Sequence, residues 1–171
     1  MTTHILRYQD IRESIQTGDV LVWKKDRLSK ISNLFLWGIR FFTMSQFAHV
    51  AVAVRLMDRV FIIEATQPFV RIFPLSNSDE FYHIPTHISE PSKESLTFLF
   101  DQVGKLYSLG DAIRGYLGYP LKDNDRWQCV ELAKAFLNMN GFNVKGTIAS
   151  DLVDELLLIG HEISLVIPKE K

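Results

Sequence analysis

Residues 47–54 read FAHVAVAV. Side chains alternate along an extended chain, so Val50, Val52 and Val54 fall on one face and His49, Ala51 and Ala53 on the other. β-Branched residues down one face and small ones down the other predict a sheet strand whose small-residue face is open to a packed helix. After a polar break at Arg55 to Arg59, Val60–Ala65 (VFIIEA) reads as the hairpin partner, and Phe69–Leu75 (FVRIFPL) as a third strand. These three form an antiparallel meander, to which Phe81–Ile84 adds a further short strand.

Working outward toward the N-terminus, Thr17-Gly18-Asp19 is a turn signal and Val20–Trp23 a β-rich run, the first strand. From Leu28 to Phe42, apolar residues recur at Ile31, Leu34, Phe35, Phe41 and Phe42 with Gly38 on the same stripe, which predicts a helix. Leu36 and Trp37 lie off that stripe. Toward the C-terminus, Ser92 is an N-cap for a helix with a core stripe of Leu96, Leu99, Phe100, Val103 and Leu106. A loop with Tyr107 and Tyr119-Pro120 follows. The cluster Asp123-Asn124-Asp125 precedes CVELAKAFLNMNG, where Leu132, Ala133 and Phe136 mark a buried face and Gly141 the stop. Cys129 therefore sits in the first turn of a helix. A last helix is expected from Ser150 to Ile159, closed by Gly160, with Ile163–Ile167 as a final strand and disorder confined to the chain ends.

With 171 residues, 47% apolar and 23% charged, the chain has globular composition and the length of one domain, and no linker or low-complexity tract divides it. The formal net charge is −1 and the basic residues are scattered, which excludes a phosphate-binding footprint and nucleic acid as a partner. A single cysteine excludes an intramolecular disulfide and a multi-cysteine zinc site. The first residues lack the pattern of a secretory signal, so a cytoplasmic location is expected, with export by another route left open. The most apolar region, Ile31 to Val54, carries Asn33, Arg40, Gln46 and His49, and stable membrane insertion is not expected.

A thiol at a helix N-terminus faces unsatisfied backbone N–H groups and the positive end of the helix dipole, which lower its pKa and favour attack on a carbonyl. Such a nucleophile needs an imidazole within hydrogen-bond reach and a third group to hold the ring. His49 and Glu64 lie on consecutive strands of one hairpin, where cross-strand neighbours approach each other. Glu64 follows an apolar run and, if buried, needs a partner. Cys129, His49 and Glu64 are thus the candidate catalytic set, with no cofactor required, since a thiolate and an imidazolium supply both nucleophile and acid.

The order GDVLVW, FAHVAVAV, VFIIEA, GKLYSLGDA and WQCVELAKAF resembles the circularly permuted branch of the NlpC-type papain-like cysteine peptidases, which includes YiiX-like proteins and lecithin:retinol acyltransferase relatives. In that branch the histidine strand precedes the cysteine helix. The resemblance runs from about Gly18 to Leu152. It implies an α+β, papain-like fold, an antiparallel sheet packed against helices with the nucleophile at a helix N-terminus. It also implies that Cys129 is the nucleophile, His49 the base and Glu64 the orienting residue. Tyr107 matches a tyrosine near that family's active site, and with Trp127 and Gln128 it forms the candidate oxyanion or substrate-binding set beside the backbone N–H of Cys129. Val130 stands where many relatives have a small residue.

The expected activity is hydrolysis of an amide, in a peptide or a peptidoglycan stem peptide, through a thioester. An acyltransferase or lipid thioesterase is the alternative within enzymes, with Leu36, Trp37 and Phe41 as an apolar rim, and a non-catalytic binding module is the alternative outside them. Taken singly, Cys129 reads as a core residue, His49 as a satisfied core histidine and Glu64 as a strand-end carboxylate. His4, His83, His87 and His161 read as surface residues, of which His83 and His87 could in principle bind a metal. The oligomeric state is not legible.

Overall fold

The computed structural model describes residues 4–24, 46–117 and 125–168. The helix expected over Leu28–Phe42, with its rim of Leu36, Trp37 and Phe41, lies outside these residues, as do Tyr119-Pro120 and Asp123-Asn124.

The described strands are β1 (His4–Arg7), β2 (Val20–Lys24), β3 (Phe47–Leu56), β4 (Arg59–Ala65), β5 (Val70–Pro74), β6 (Phe81–Ile84) and β7 (Ser164–Ile167). They form one sheet in the order β1-β7-β6-β2-β3-β4-β5. The meander β3-β4-β5 is antiparallel as expected, and β2 runs antiparallel to both β3 and β6. Only the edge pair β1 and β7 is parallel. A strand, HILR, precedes the expected first strand at Val20–Trp23; it forms by pairing with the far C-terminal strand, a non-local contact that leaves no local signature.

The helices are α1 (Tyr8–Ile11), α2 (Lys93–Asp101), α3 (Leu109–Tyr116), α4 (Cys129–Met139) and α5 (Ala149–Leu158). Each face of β3 has its own core. Val50, Val52 and Val54 bury against Leu132, Ala133 and Phe136 of α4 and Leu152 and Leu156 of α5. Ala51 and Ala53 bury with Tyr8, Ile15, Leu21, Trp23 and Phe81. The cysteine helix thus takes the valine face, while the small-residue face receives the N-terminal turn around Tyr8, whose bulk fills the room the alanines leave.

Three expectations are corrected. Phe100, Val103 and Leu106 are not core: α2 ends at Asp101 and buries Ser95 and Leu99, so helical periodicity does not extend to Val103 and Leu106. The loop expected after Tyr107 contains α3, whose start is set by Ser108: its hydroxyl accepts from the Asp111 N–H and donates to the Asp111 carboxylate. His83 is a buried residue of β6 rather than a surface one, and it pairs with the buried Asp19.

The helix caps follow the sequence closely. Ser92 caps α2 by accepting from the Ser95 N–H, and Gly141 leaves α4 at φ +91°, a left-handed conformation that suits glycine.

Candidate active site

Strands β2 and β3 stay in simple register from Val20↔Val52 to Trp23↔His49, after which Lys24 pairs with Phe47, leaving Ala48 as an extra residue. A bulge of this kind bends a strand and re-aims nearby side chains. It lies immediately before His49, at the end of β3 where the chain begins to pair. Trp23 lies opposite His49, their rings 5.4 Å apart. The Phe47 N–H also donates to Ser150 Oγ at 3.2 Å, which ties this end of the sheet to the start of α5.

Glu64 is the penultimate residue of β4, at the same end of the sheet, and its side chain is only 6% exposed. His49 Nε2 meets Glu64 Oε2 at 2.5 Å. Cys129 is close enough to the His49 ring to act on its protonation. The three side chains singled out from the sequence therefore lie near one another, with His49 bonded to Glu64.

Burial by itself would lower the His49 pKa. The interactions with Cys129 and Glu64 outweigh it, and the pKa is raised from 6.5 to about 10. Burial would raise that of Glu64, but His49 and Arg71 together hold it below its usual value.

Arg71 was not singled out from the sequence. It lies directly across from Glu64 in the β4–β5 pair, and its Nε donates to Glu64 Oε1 at 2.8 Å. Its guanidinium also lies 4.7 Å from the Phe73 ring centre. The signal was present in FVRIF, because an arginine on the third strand of a meander at the register of a buried glutamate is its natural ion-pair partner.

Cys129 is the first residue of α4, so its backbone N–H has no intrahelical acceptor. Gln128 is the N-cap: its Oε1 accepts from the Val130 N–H at 3.1 Å, and Glu131 completes a capping box by accepting from the Gln128 N–H. Gln128 Nε2 donates to the Thr147 carbonyl at 3.4 Å, and its Oε1 lies 3.9 Å from the sulfur. Trp127 donates its indole N–H to Gln102 Oε1 at 2.8 Å and stacks edge-on against Phe98, so its polar end points to α2. Tyr107 forms a parallel bridge with Trp127, flanked by Ser108 N–H to Trp127 O and Trp127 N–H to Leu106 O. Of the three residues expected to bind an oxyanion or substrate, Gln128 has its side chain engaged in building the helix start, Trp127 has its side chain tied to Gln102 and Phe98, and Tyr107 aligns the segment leading into the helix.

Among the described residues, no three His, Cys, Asp or Glu side chains are grouped so as to hold a metal ion, and no helix is long and apolar enough to cross a membrane. No family model and no curated protein matches the sequence. Among solved structures, the chain is similar to the crystal structure of metalloprotein yiiX from Escherichia coli O157:H7. The TM-score is 0.53 and the identity 19%, over 75% of this chain and 68% of that one. A likeness at this identity speaks to architecture alone: the chain has a mixed α+β, YiiX-like fold.

Proposed function

We propose that this protein is a cysteine hydrolase that cleaves an amide bond, in a peptide or a peptidoglycan stem peptide, through a thioester intermediate. The observation that carries the reading is the bond between His49 and Glu64 with Cys129, at the first turn of α4, close enough to act on the same ring.

In this reading the Cys129 thiolate attacks the carbonyl carbon and the oxyanion accepts from the backbone N–H at the start of α4. The His49 imidazolium passes its proton to the leaving amine, and the amide C–N bond breaks as the thioester remains. His49, now neutral, takes a proton from water as that water attacks the thioester, and the Cys129 thiolate leaves as the acid is released, which restores the thiolate and imidazolium. Glu64 orients the ring throughout, and Arg71 holds Glu64.

Acyl transfer or thioester hydrolysis is a second reading, favoured by one observation. Phe69 and Leu106, 45% and 52% exposed, bridge each other in the segment that leads through Tyr107 to the cysteine helix, an apolar surface suited to an acyl chain. Turnover of amide against ester and thioester substrates of one acyl group decides between the two. The first reading predicts release of amine lost in Cys129→Ala; hydrolysis confined to long-chain thioesters supports the second.

A further inference from the structure

A second polar site lies at the opposite end of β2. Asp19 immediately precedes β2 and His83 pairs with Leu21, whereas His49 pairs with Trp23. Four residues of strand separate Asp19 from Trp23, about 13 Å at the usual rise per residue. The mechanism above uses neither Asp19 nor His83.

A cavity of about 480 Å³ opens here, lined by Ser14, Gln16, Asp19, His83, Pro85, His87, Ile88 and Ser89. At its base His83, 5% exposed, places Nε2 2.8 Å from Asp19 Oδ2. Asp19 also accepts from the Gln16 N–H at 2.9 Å and the Thr86 N–H at 3.0 Å, so three donors already hold its carboxylate. With Nε2–H donated to the Asp19 carboxylate, the nitrogen that accepts in the neutral His83 ring is Nδ1. Among the described residues it has no hydrogen-bond partner, and no side-chain nitrogen or oxygen without one is sealed from solvent, so Nδ1 opens into the cavity.

The rim is of the same character. Ser14 Oγ already donates to the Ile11 carbonyl, and Gln16 Nε2 donates to the Glu13 carbonyl, which leaves an oxygen of each to accept. Among the described residues no lysine or arginine lines the cavity, which disfavours an anion. An ammonium ion would have to compete with His83 and two backbone N–H groups for the buried Asp19 carboxylate. The walls are Pro85, Ile88 and the His87 ring, which stacks on His161 at 5.8 Å with planes 18° apart; His161 is fixed by its own bond to the Pro85 carbonyl at 2.8 Å. His87 is held at φ +57°, a conformation non-glycine residues seldom adopt. Acceptors at the base and rim with a flat ring and apolar walls match a neutral ligand that carries several hydroxyl donors and a C–H face.

We propose that this cavity binds a saccharide ring, with a hydroxyl donating to His83 Nδ1 and the sugar face against His87. The site is independent of the cysteine reading, and its test requires no turnover.

The experiment is a titration of the ¹⁵N-labelled full chain with N-acetylglucosamine and methyl glucoside, read from the imidazole nitrogens, with inorganic phosphate, methylamine and zinc as comparison probes. The expected result is a saturable shift of His83 Nδ1 by a saccharide while the His49 signals stay fixed. Ser89→Trp, at an exposed rim position, should weaken that binding about tenfold or more by blocking the cavity, and Ser14→Ala should weaken it less. Both substitutions are at the surface, so the test does not depend on variants of the buried His83. Failure of both saccharides to move His83, a shift of His83 by phosphate, methylamine or zinc instead, or saccharide binding undiminished in Ser89→Trp would each overturn the proposal.

Discussion

Arg71 faces Glu64 across the β4–β5 pair and bonds the carboxylate oxygen that His49 leaves unused. Glu64 is thus held from both sides, by a buried imidazole on Oε2 and a half-exposed guanidinium on Oε1. A carboxylate fixed at both oxygens cannot rotate, and so it fixes the plane of the ring that it holds.

Arg71→Met should therefore slow the reaction of Cys129 with iodoacetamide without unfolding the protein. Because Arg71 is partly exposed, the expected loss is modest, about two- to tenfold, and Arg71→Lys should recover part of it. Arg71 also lowers the Glu64 pKa, so its removal should move the acid limb of the alkylation profile to higher pH. An unchanged profile in Arg71→Met would assign this residue to surface charge alone.

The side chains of Gln128 and Trp127 divide two roles that adjacency to Cys129 makes look alike. Gln128→Ala removes the cap of α4 and should cost about 1 kcal/mol of stability while slowing Cys129 alkylation, because the helix end that presents the thiol frays. Trp127→Phe removes the bond to Gln102 and should also cost about 1 kcal/mol, with little change in reactivity. Thermal melts and alkylation rates on the two variants separate these effects.

The raised pKa of His49 makes stability depend on pH. Its folded-state value of about 10 lies above the ordinary 6.5, so the stabilisation it contributes is complete below the latter and is lost as pH rises through the former. Against His49→Gln, the native protein should lose its advantage in melting temperature across that alkaline window. The lowered pKa of Glu64 acts in the opposite sense: its contribution is present above the ordinary carboxylate value and is lost as pH falls through the depressed one. The difference between native protein and Glu64→Gln should shrink in acid. Parallel melting curves for native and variant proteins at all pH values would contradict both assignments.

Strand and helix patterning was legible wherever the signal is local. FAHVAVAV, VFIIEA and CVELAKAF carry their periodicity in their own residues, and the same runs placed Cys129, His49 and Glu64 on elements that do meet. What stayed hidden depends on partners distant in the chain. His4–Arg7 becomes a strand only because Ser164–Ile167 lies beside it. His83 is buried because Asp19, 64 residues earlier, is there to receive its proton. Arg71 was overlooked for another reason: alternation assigns it a face, but only the hairpin register places it opposite Glu64. The start of α3 was legible as Ser108-Leu109-Gly110-Asp111, a capping pattern obscured by the glycine within it.

The central claim is that His49 and Cys129 work as one reactive pair, and the rate of Cys129 alkylation in the folded protein at about pH 6 tests it most directly. Few ordinary thiols ionise at that pH, since their pKa is about 8.5. Cys129 is buried, at 8% exposure, beside an imidazole that stays protonated far above neutrality. The account predicts that folded Cys129 reacts faster than the same thiol in denaturant. His49→Ala should abolish this excess, a loss of about 10²-fold or more, and Glu64→Gln should reduce it less. A Cys129 that resists iodoacetamide until the chain is denatured, with His49→Ala making no difference, would contradict the account.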